Sequence, residues 1–65
     1  MIVSFKNDDI FVTNEKQENY VIKKKYIGGT LIQNYFVYLA DVYDFFINSY
    51  TTLEEALQDI EKGYI

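Results

Sequence analysis

The chain has 65 residues and a mass of 7.7 kDa, the size of one small domain, so we expect a single domain over residues 1–65. Hydrophobic residues make up 49% of the sequence and aromatic residues 18%, a composition that excludes an intrinsically disordered chain. The formal net charge is −4 and arginine is absent, which disfavours nucleic acid as the main partner.

Cysteine and histidine are both absent. Their absence excludes disulfide bonds and thiolate metal sites, and it removes the commonest general base. The two serines, Ser4 and Ser49, therefore have no histidine to activate them as nucleophiles. We expect no enzymatic activity, no catalytic residues, no metal site and no cofactor. Because no apolar run is long enough to span a membrane, we also expect a cytoplasmic protein without a membrane partner.

An N-terminal hairpin is predicted over residues 1–13, where apolar and polar residues alternate on both sides of the turn-forming pair Asn7-Asp8. The alternation places four apolar residues, in two cross-strand pairs, on one face of the hairpin. These pairs are Phe5 with Ile10 and Val3 with Val12. The polar segment 14–19 that follows is predicted to be a loop.

A second hairpin is predicted around Gly28-Gly29, which separate two segments rich in β-branched and aromatic residues, 20–27 and 30–39. Two adjacent glycines allow the positive φ angles that a tight type I′ or II′ turn requires. Unbroken pairing away from this turn places Ile22 opposite Tyr35 and divides the side chains between two faces.

The two faces of this second hairpin differ in polarity. One face is nearly all apolar and is predicted to form the core: Tyr20, Ile22, Tyr26, Leu31, Tyr35, Val37 and Leu39. The other face mixes lysines with apolar residues and is predicted to be partly exposed: Val21, Lys23, Lys25, Ile27, Ile32, Phe36 and Tyr38. Lys24 falls on the core face, where we expect its aliphatic stem to lie along the rim of the core and its ammonium group to reach water.

Residues 31–50 allow two interpretations. Polar residues recur there at helical spacing, which is compatible with a long amphipathic helix. The β-forming side chains favour a strand, a turn over residues 41–44, and a further strand that contains Phe45, Phe46 and Ile47. In that further strand, either Phe45 and Ile47 or Phe46 alone would face the core.

The last element is predicted to be a helix over about residues 52–62. Thr52 and Glu55 have the spacing of a capping box, and Gly63 is suited to the C-cap. Four apolar residues form one stripe that must be buried against the sheet: Leu53, Ala56, Leu57 and Ile60. The expected fold is therefore α+β, a small antiparallel meander of four to five strands with one C-terminal helix packed on one face.

A single helix protects one face of a sheet, so the apolar residues of the other face form a candidate association surface. We therefore expect a small protein-interaction module that binds a protein partner or self-associates. Its candidate binding residues are Lys23, Lys25, Ile32, Phe36 and Tyr38. The abundance of residues with AT-rich codons is typical of an AT-rich bacterial or phage genome, and we expect an accessory protein of a phage or mobile element.

Two other functions are compatible with the sequence. The order of elements over residues 20–62 resembles that of integrase arm-binding and AP2-type domains, in which the open sheet face contacts DNA. This resemblance implies a nucleic-acid-binding domain that uses Lys23, Lys25, Phe36 and Tyr38. Alternatively, the acidic helix could imitate nucleic-acid phosphates through Glu54, Glu55, Asp59 and Glu61.

Overall fold

The protein folds as a five-stranded antiparallel sheet followed by one helix in the described part of the chain. This computed structural model describes residues 1–42 and 45–63, and all of their side chains except those of Tyr26 and Ile27. The elements are β1 (Ile2–Lys6), β2 (Asp9–Thr13), β3 (Asn19–Ile27), β4 (Thr30–Leu39), β5 (Phe45–Tyr50) and α1 (Leu53–Lys62). The strands pair in the order β1-β2-β3-β4-β5, which confirms the predicted α+β meander. No helix among these residues has the length and apolar character needed to cross a membrane.

The N-terminal hairpin has the predicted register. Phe5 lies opposite Ile10 and Val3 opposite Val12, and Asn7 adopts the positive φ of 56° that tight hairpin turns use. Burial differs sharply within these pairs, however. Ile10 and Val12 are 8% and 1% exposed, whereas Val3 and Phe5 are 39% and 71% exposed. The reason is position, because β1 forms the sheet edge while α1 lies closest to β4 and β5.

The glycine turn between β3 and β4 also forms as predicted. Gly28 and Gly29 both have positive φ angles, 59° and 80°, as a type I′ turn requires. The predicted pairing of Ile22 with Tyr35 is wrong, because Ile22 lies opposite Val37. A β-bulge in β4 adds two residues between the turn and this pair.

The bulge in β4 leaves the face assignment intact. The register changes between the pairs Lys25–Ile32 and Lys23–Phe36, by two residues, and side chains alternate with a period of two. Lys24 stabilises the irregular backbone from the core side. Its Nζ donates a hydrogen bond to the carbonyl oxygen of Gln33 at 2.9 Å and lies 4.0 Å from the centre of the Tyr35 ring.

Residues 30–39 and 45–50 are strands, so the alternative of a long helix is wrong for the described part of this region. Tyr43 and Asp44, half of the predicted turn, lie outside the described residues. A one-residue bulge in β5 shifts the register between the pairs Val37–Asn48 and Tyr38–Phe46.

This one-residue shift reverses the faces of β5. Ile47 packs against the core, whereas Phe46 joins Tyr38 on the opposite face. Phe45 and Phe46 are 55% and 49% exposed. The predicted arrangement with Phe45 and Ile47 on the core side is therefore confirmed for Ile47 and for the face of Phe45, which lies opposite Leu39 but stays exposed, and the arrangement with Phe46 facing the core is wrong.

The core lies between α1 and one sheet face. It contains Ile10, Val12, Tyr20, Ile22, Val37, Tyr50, Ala56 and Ile60. Tyr20, Ile22 and Val37 were predicted on this face, and Tyr35 and Leu39 pack against them with partial burial. Within α1, Ala56 and Ile60 are fully buried, while Leu53 and Leu57 lie at the margin of the core.

Both ends of α1 are capped as the sequence predicts. The Glu55 N–H donates to Thr52 Oγ1 at 3.2 Å, and the Thr52 hydroxyl donates to Glu55 Oε1 at 3.0 Å. Thr51 donates a second hydroxyl hydrogen bond to Glu55 Oε1 at 2.9 Å. At the other end Gly63 adopts the left-handed φ of 75°, and its N–H bonds the carbonyl oxygen of Ile60 at 3.3 Å.

Asn14 connects the β2–β3 loop to α1. Its side chain is 4% exposed, and its Nδ2 donates to the carbonyl oxygen of Ile60 at 3.2 Å and to Glu18 Oε1 at 2.9 Å. Its Oδ1 accepts from the N–H groups of Lys16 and Glu18 at 3.1 and 3.0 Å. One buried amide thus holds both the loop conformation and the C-terminal end of α1, a role that the polar loop prediction missed.

The Tyr50 side chain is a buried phenol on the inner face of β5. Its hydroxyl oxygen has no hydrogen-bond partner among the described residues. Burial raises the pKa of Tyr50, and the Asp59 carboxylate raises it further. Asp59 and Asn48 are near enough to influence the phenol, but neither completes a hydrogen bond to its oxygen.

We expect Ile60→Ala to lower the free energy of unfolding by about 2–5 kcal/mol, because it leaves a cavity at the centre of the core. Leu57→Ala should cost less, since this side chain is half-buried at the margin. Urea denaturation of the two variants, with exposed Gln58→Ala as the control, measures the difference. A larger loss for Leu57→Ala than for Ile60→Ala would contradict the packing of α1.

We expect Tyr50→Phe to leave the free energy of unfolding at pH 7 unchanged or to raise it by up to about 1–3 kcal/mol, because the buried hydroxyl forms no hydrogen bond that offsets its desolvation. Because the pKa of Tyr50 is raised in the folded state, the neutral phenol favours folding. This stabilisation is complete below the unfolded pKa of 10.0 and is lost as the pH rises through the folded pKa. Tyr50→Phe should therefore reduce the alkaline loss of stability. Urea titrations of both proteins below and above pH 10.0 measure this loss, and the same pH profile for both proteins would contradict the prediction.

Candidate interaction surface

The sheet face opposite α1, here called the open face, carries an apolar row that crosses four strands. Phe11, Val21, Tyr38 and Phe46 lie opposite one another in successive strand pairs. Val21 and Tyr38, in the middle of this row, are each 7% exposed although no helix covers them. The rings of Phe11 and Phe46 flank this pair and exclude water from it. The open face therefore has a small apolar centre of its own.

Three aromatic rings form a cluster at the β4–β5 side of the open face. The Tyr38 and Phe46 ring centres are 5.5 Å apart in an edge-to-face arrangement, and those of Phe36 and Phe46 are 6.2 Å apart and tilted. Such pairs contribute about 0.5–1.5 kcal/mol beyond the burial of their area. These contacts hold Phe46 in place while leaving 49% of it exposed to solvent.

Two lysines border the aromatic cluster, and they differ in the groups that their ammonium nitrogens contact. Lys25 Nζ lies 5.1 Å from the centre of the Phe36 ring and 5.0 Å from that of Tyr38, within the range of cation–π attraction. Lys23 Nζ instead forms an ion pair with Asp9 Oδ2 at 3.6 Å. Part of the charge of Lys23 is therefore balanced within the chain, and Lys25 is the more available cation.

Together these side chains line an open depression of about 650 Å³, formed by Lys23, Lys25, Phe36, Tyr38 and Phe46. The volume matches that of small-molecule pockets, which range over about 300–1,000 Å³. Those pockets are concave enough to bury most of a ligand, whereas this depression is broad and shallow. Its shape is suited to a protruding side chain of another macromolecule.

Four of the predicted binding residues meet in this depression: Lys23, Lys25, Phe36 and Tyr38. The fifth, Ile32, lies opposite Lys25 on the same face but does not line the depression. Phe46 is the contributor that the sequence left undecided. The signal for it was the pair Phe45-Phe46, but only the bulge at Ile47 determines which ring faces this side.

Charge is distributed unevenly between the two sides of the molecule. Three lysines project from the open face, Lys6, Lys23 and Lys25, and Asp9 is the one acidic residue within the five described strands. Four acidic residues lie on α1 instead: Glu54, Glu55, Asp59 and Glu61. A chain with a net charge of −4 therefore presents a locally positive surface beside its aromatic cluster.

The described residues contain no group of acidic side chains arranged to hold a metal ion. No protein-family model, no curated protein and no solved structure matches this chain.

Proposed function

We propose that this chain is a non-enzymatic interaction module and that a partner protein binds to its open face. The observation that carries this proposal is the aromatic cluster of Phe36, Tyr38 and Phe46, which lies on the face that α1 leaves uncovered. Apolar surface that a fold leaves uncovered, here Phe46 at 49% exposure beside the half-buried Phe36, is typical of association sites. Aromatic side chains supply large contact areas there and are enriched at the centres of protein interfaces.

The charge on this face points to a partner segment that combines apolar side chains with a carboxylate. Lys25 Nζ lies about 5 Å from two rings of the cluster, so a carboxylate bound to it would sit beside the aromatic surface. Apolar side chains next to that carboxylate would then enter the depression. Complementary charge of this type fixes register and accelerates association more than it adds affinity.

A second copy of the chain fits the open face less well. Two-fold pairing of this face would bring Lys23 and Lys25 of both copies into one interface, with Asp9 as the acidic strand residue of each copy. Like charges brought together in this way cost several kcal/mol. The proposal therefore assigns the open face to a different protein.

Nucleic acid remains the alternative occupant, since lysines next to aromatic rings are typical of single-strand-binding surfaces. Two contacts disfavour it. Lys23 is paired with Asp9, and Lys25 already occupies the space over the Phe36 and Tyr38 rings where a base would stack. The chain also lacks arginine for bidentate phosphate contacts.

We expect peptides selected from a random display library on the immobilised protein to be enriched in acidic and aromatic residues. Phe36→Ser and Lys25→Glu should each weaken a selected peptide by about tenfold or more, because they remove the aromatic surface and reverse the charge beside it. Fluorescence anisotropy with the labelled peptide measures these affinities. Thermal melts show whether each variant is folded.

Two matched controls test whether the effect belongs to this face. Phe5→Ser removes an aromatic ring that is 71% exposed on β1, and Lys16→Glu reverses a charge in the β2–β3 loop. Neither should change the affinity. Equal weakening by the controls, or selected peptides without acidic residues, would contradict the proposal. Salt-sensitive binding of single-stranded DNA that Lys25→Glu abolishes would support the nucleic-acid alternative instead.

A further inference from the structure

Strand β1 is an exposed sheet edge, distinct from the open face. All five of its residues are exposed, and Val3 and Phe5 continue the apolar side of the sheet beyond the area that α1 covers. Their cross-strand neighbours Ile10 and Val12 belong to the core. The core thus ends at an apolar margin that faces water.

The two edges of the sheet differ in regularity. β5 carries a bulge and faces solvent with an irregular backbone, a common way to prevent strand addition. β1 pairs with β2 at five consecutive positions without interruption, and proline is absent from the chain. Lys6 is the one charged residue in β1. A regular, largely apolar edge of this kind is suited to pairing with another strand.

The hairpin turn determines which main-chain groups of β1 face away from β2. In a two-residue hairpin the pair next to the turn, here Lys6 and Asp9, is hydrogen-bonded, and hydrogen-bonded pairs then alternate along the ladder. Ser4 therefore bonds to β2, whereas the N–H and C=O groups of Val3 and Phe5 point outward. The outward groups belong to the same two residues whose apolar side chains are exposed.

We propose that β1 pairs antiparallel with β1 of a second copy about a two-fold axis at Ser4. This register places Val3 of each copy opposite Phe5 of the other, so both sets of outward main-chain groups form hydrogen bonds. The apolar side chains meet on the α1 side and join the two cores. The result is a continuous ten-stranded sheet in which each strand number occurs twice.

The charges of the chain are compatible with this two-fold arrangement. In this register Lys6 lies opposite Ile2 of the second copy, so the two Lys6 side chains are about four residues, or 14 Å, apart along the strands. The four acidic residues of α1 lie on the helix, which packs closest to β4 and β5 at the far side of the sheet. The edge β1 therefore brings two acidic chains together with little repulsion.

A cysteine placed on β1 tests the register directly, because the chain has no other cysteine. The two Ser4 residues would form a non-hydrogen-bonded pair with Cα atoms about 4.5 Å apart, within the range of a disulfide. Ser4→Cys should form a disulfide-linked dimer in a glutathione redox buffer. Ile2→Cys, exposed on the same face, should do so at least about tenfold more slowly, because its two copies lie beyond the reach of a disulfide.

Further measurements separate this edge from the open face. Phe36→Ser in the Ser4→Cys background should leave the rate of disulfide formation unchanged, whatever the outcome of the peptide experiments. We expect sedimentation to show a dimer of the unmodified chain. Val3→Pro, which removes an outward N–H, should abolish this dimer, whereas Val3→Ala should weaken it less. Equal rates for the two cysteine variants, no disulfide with Ser4→Cys, or a monomer at millimolar concentration would each overturn the proposal.

Discussion

One short helix must shield a sheet that is much wider than itself. α1 has ten residues, so it is about 15 Å long, whereas five strands spaced by about 4.8 Å span roughly 19 Å and have two faces. The helix therefore covers only part of one face, nearest to β4 and β5, and nothing of the other. The exposed margin at β1 and the uncovered open face both result from this mismatch. A larger chain would bury such surfaces internally, whereas here they stay exposed.

The same constraint explains why polar contacts fix the position of α1. Few side chains of the helix are fully buried, so its placement depends strongly on Asn14, whose amide bonds the Ile60 carbonyl from inside the β2–β3 loop. The capping interactions of Thr52 and Gly63 fix the ends of the helix but not its docking. Ala56 and Ile60 supply the apolar contact with the sheet, and Asn14 supplies a directional hydrogen bond to the helix backbone.

Local signals in the sequence were sufficient for the order of strands, the two tight turns and the caps of α1. Each depends on neighbouring residues, such as Gly28-Gly29 or Thr52 with Glu55. The bulges were not predictable, because they depend on how whole strands pair and not on neighbouring residues. They decide the partner of Ile22 and the direction of Phe46. Burial of Asn14 was hidden for a similar reason, since its partner lies 46 positions along the chain.

The two bulges also set different limits on how the length of this chain can vary. The irregularity in β4 contains two additional residues, so losing Gln33 and Asn34 together would restore an unbroken ladder and keep every side chain on its present face. Losing one of them would leave a one-residue bulge like that of β5, with the pairs on both sides kept. In a lineage of such proteins, the bulge in β4 would therefore absorb the loss of one or two residues. The bulge in β5 contains one additional residue, so losing Ile47 alone would restore an unbroken ladder and keep Phe46 opposite Tyr38, whereas losing Asn48 as well would turn Phe46 out of the aromatic cluster.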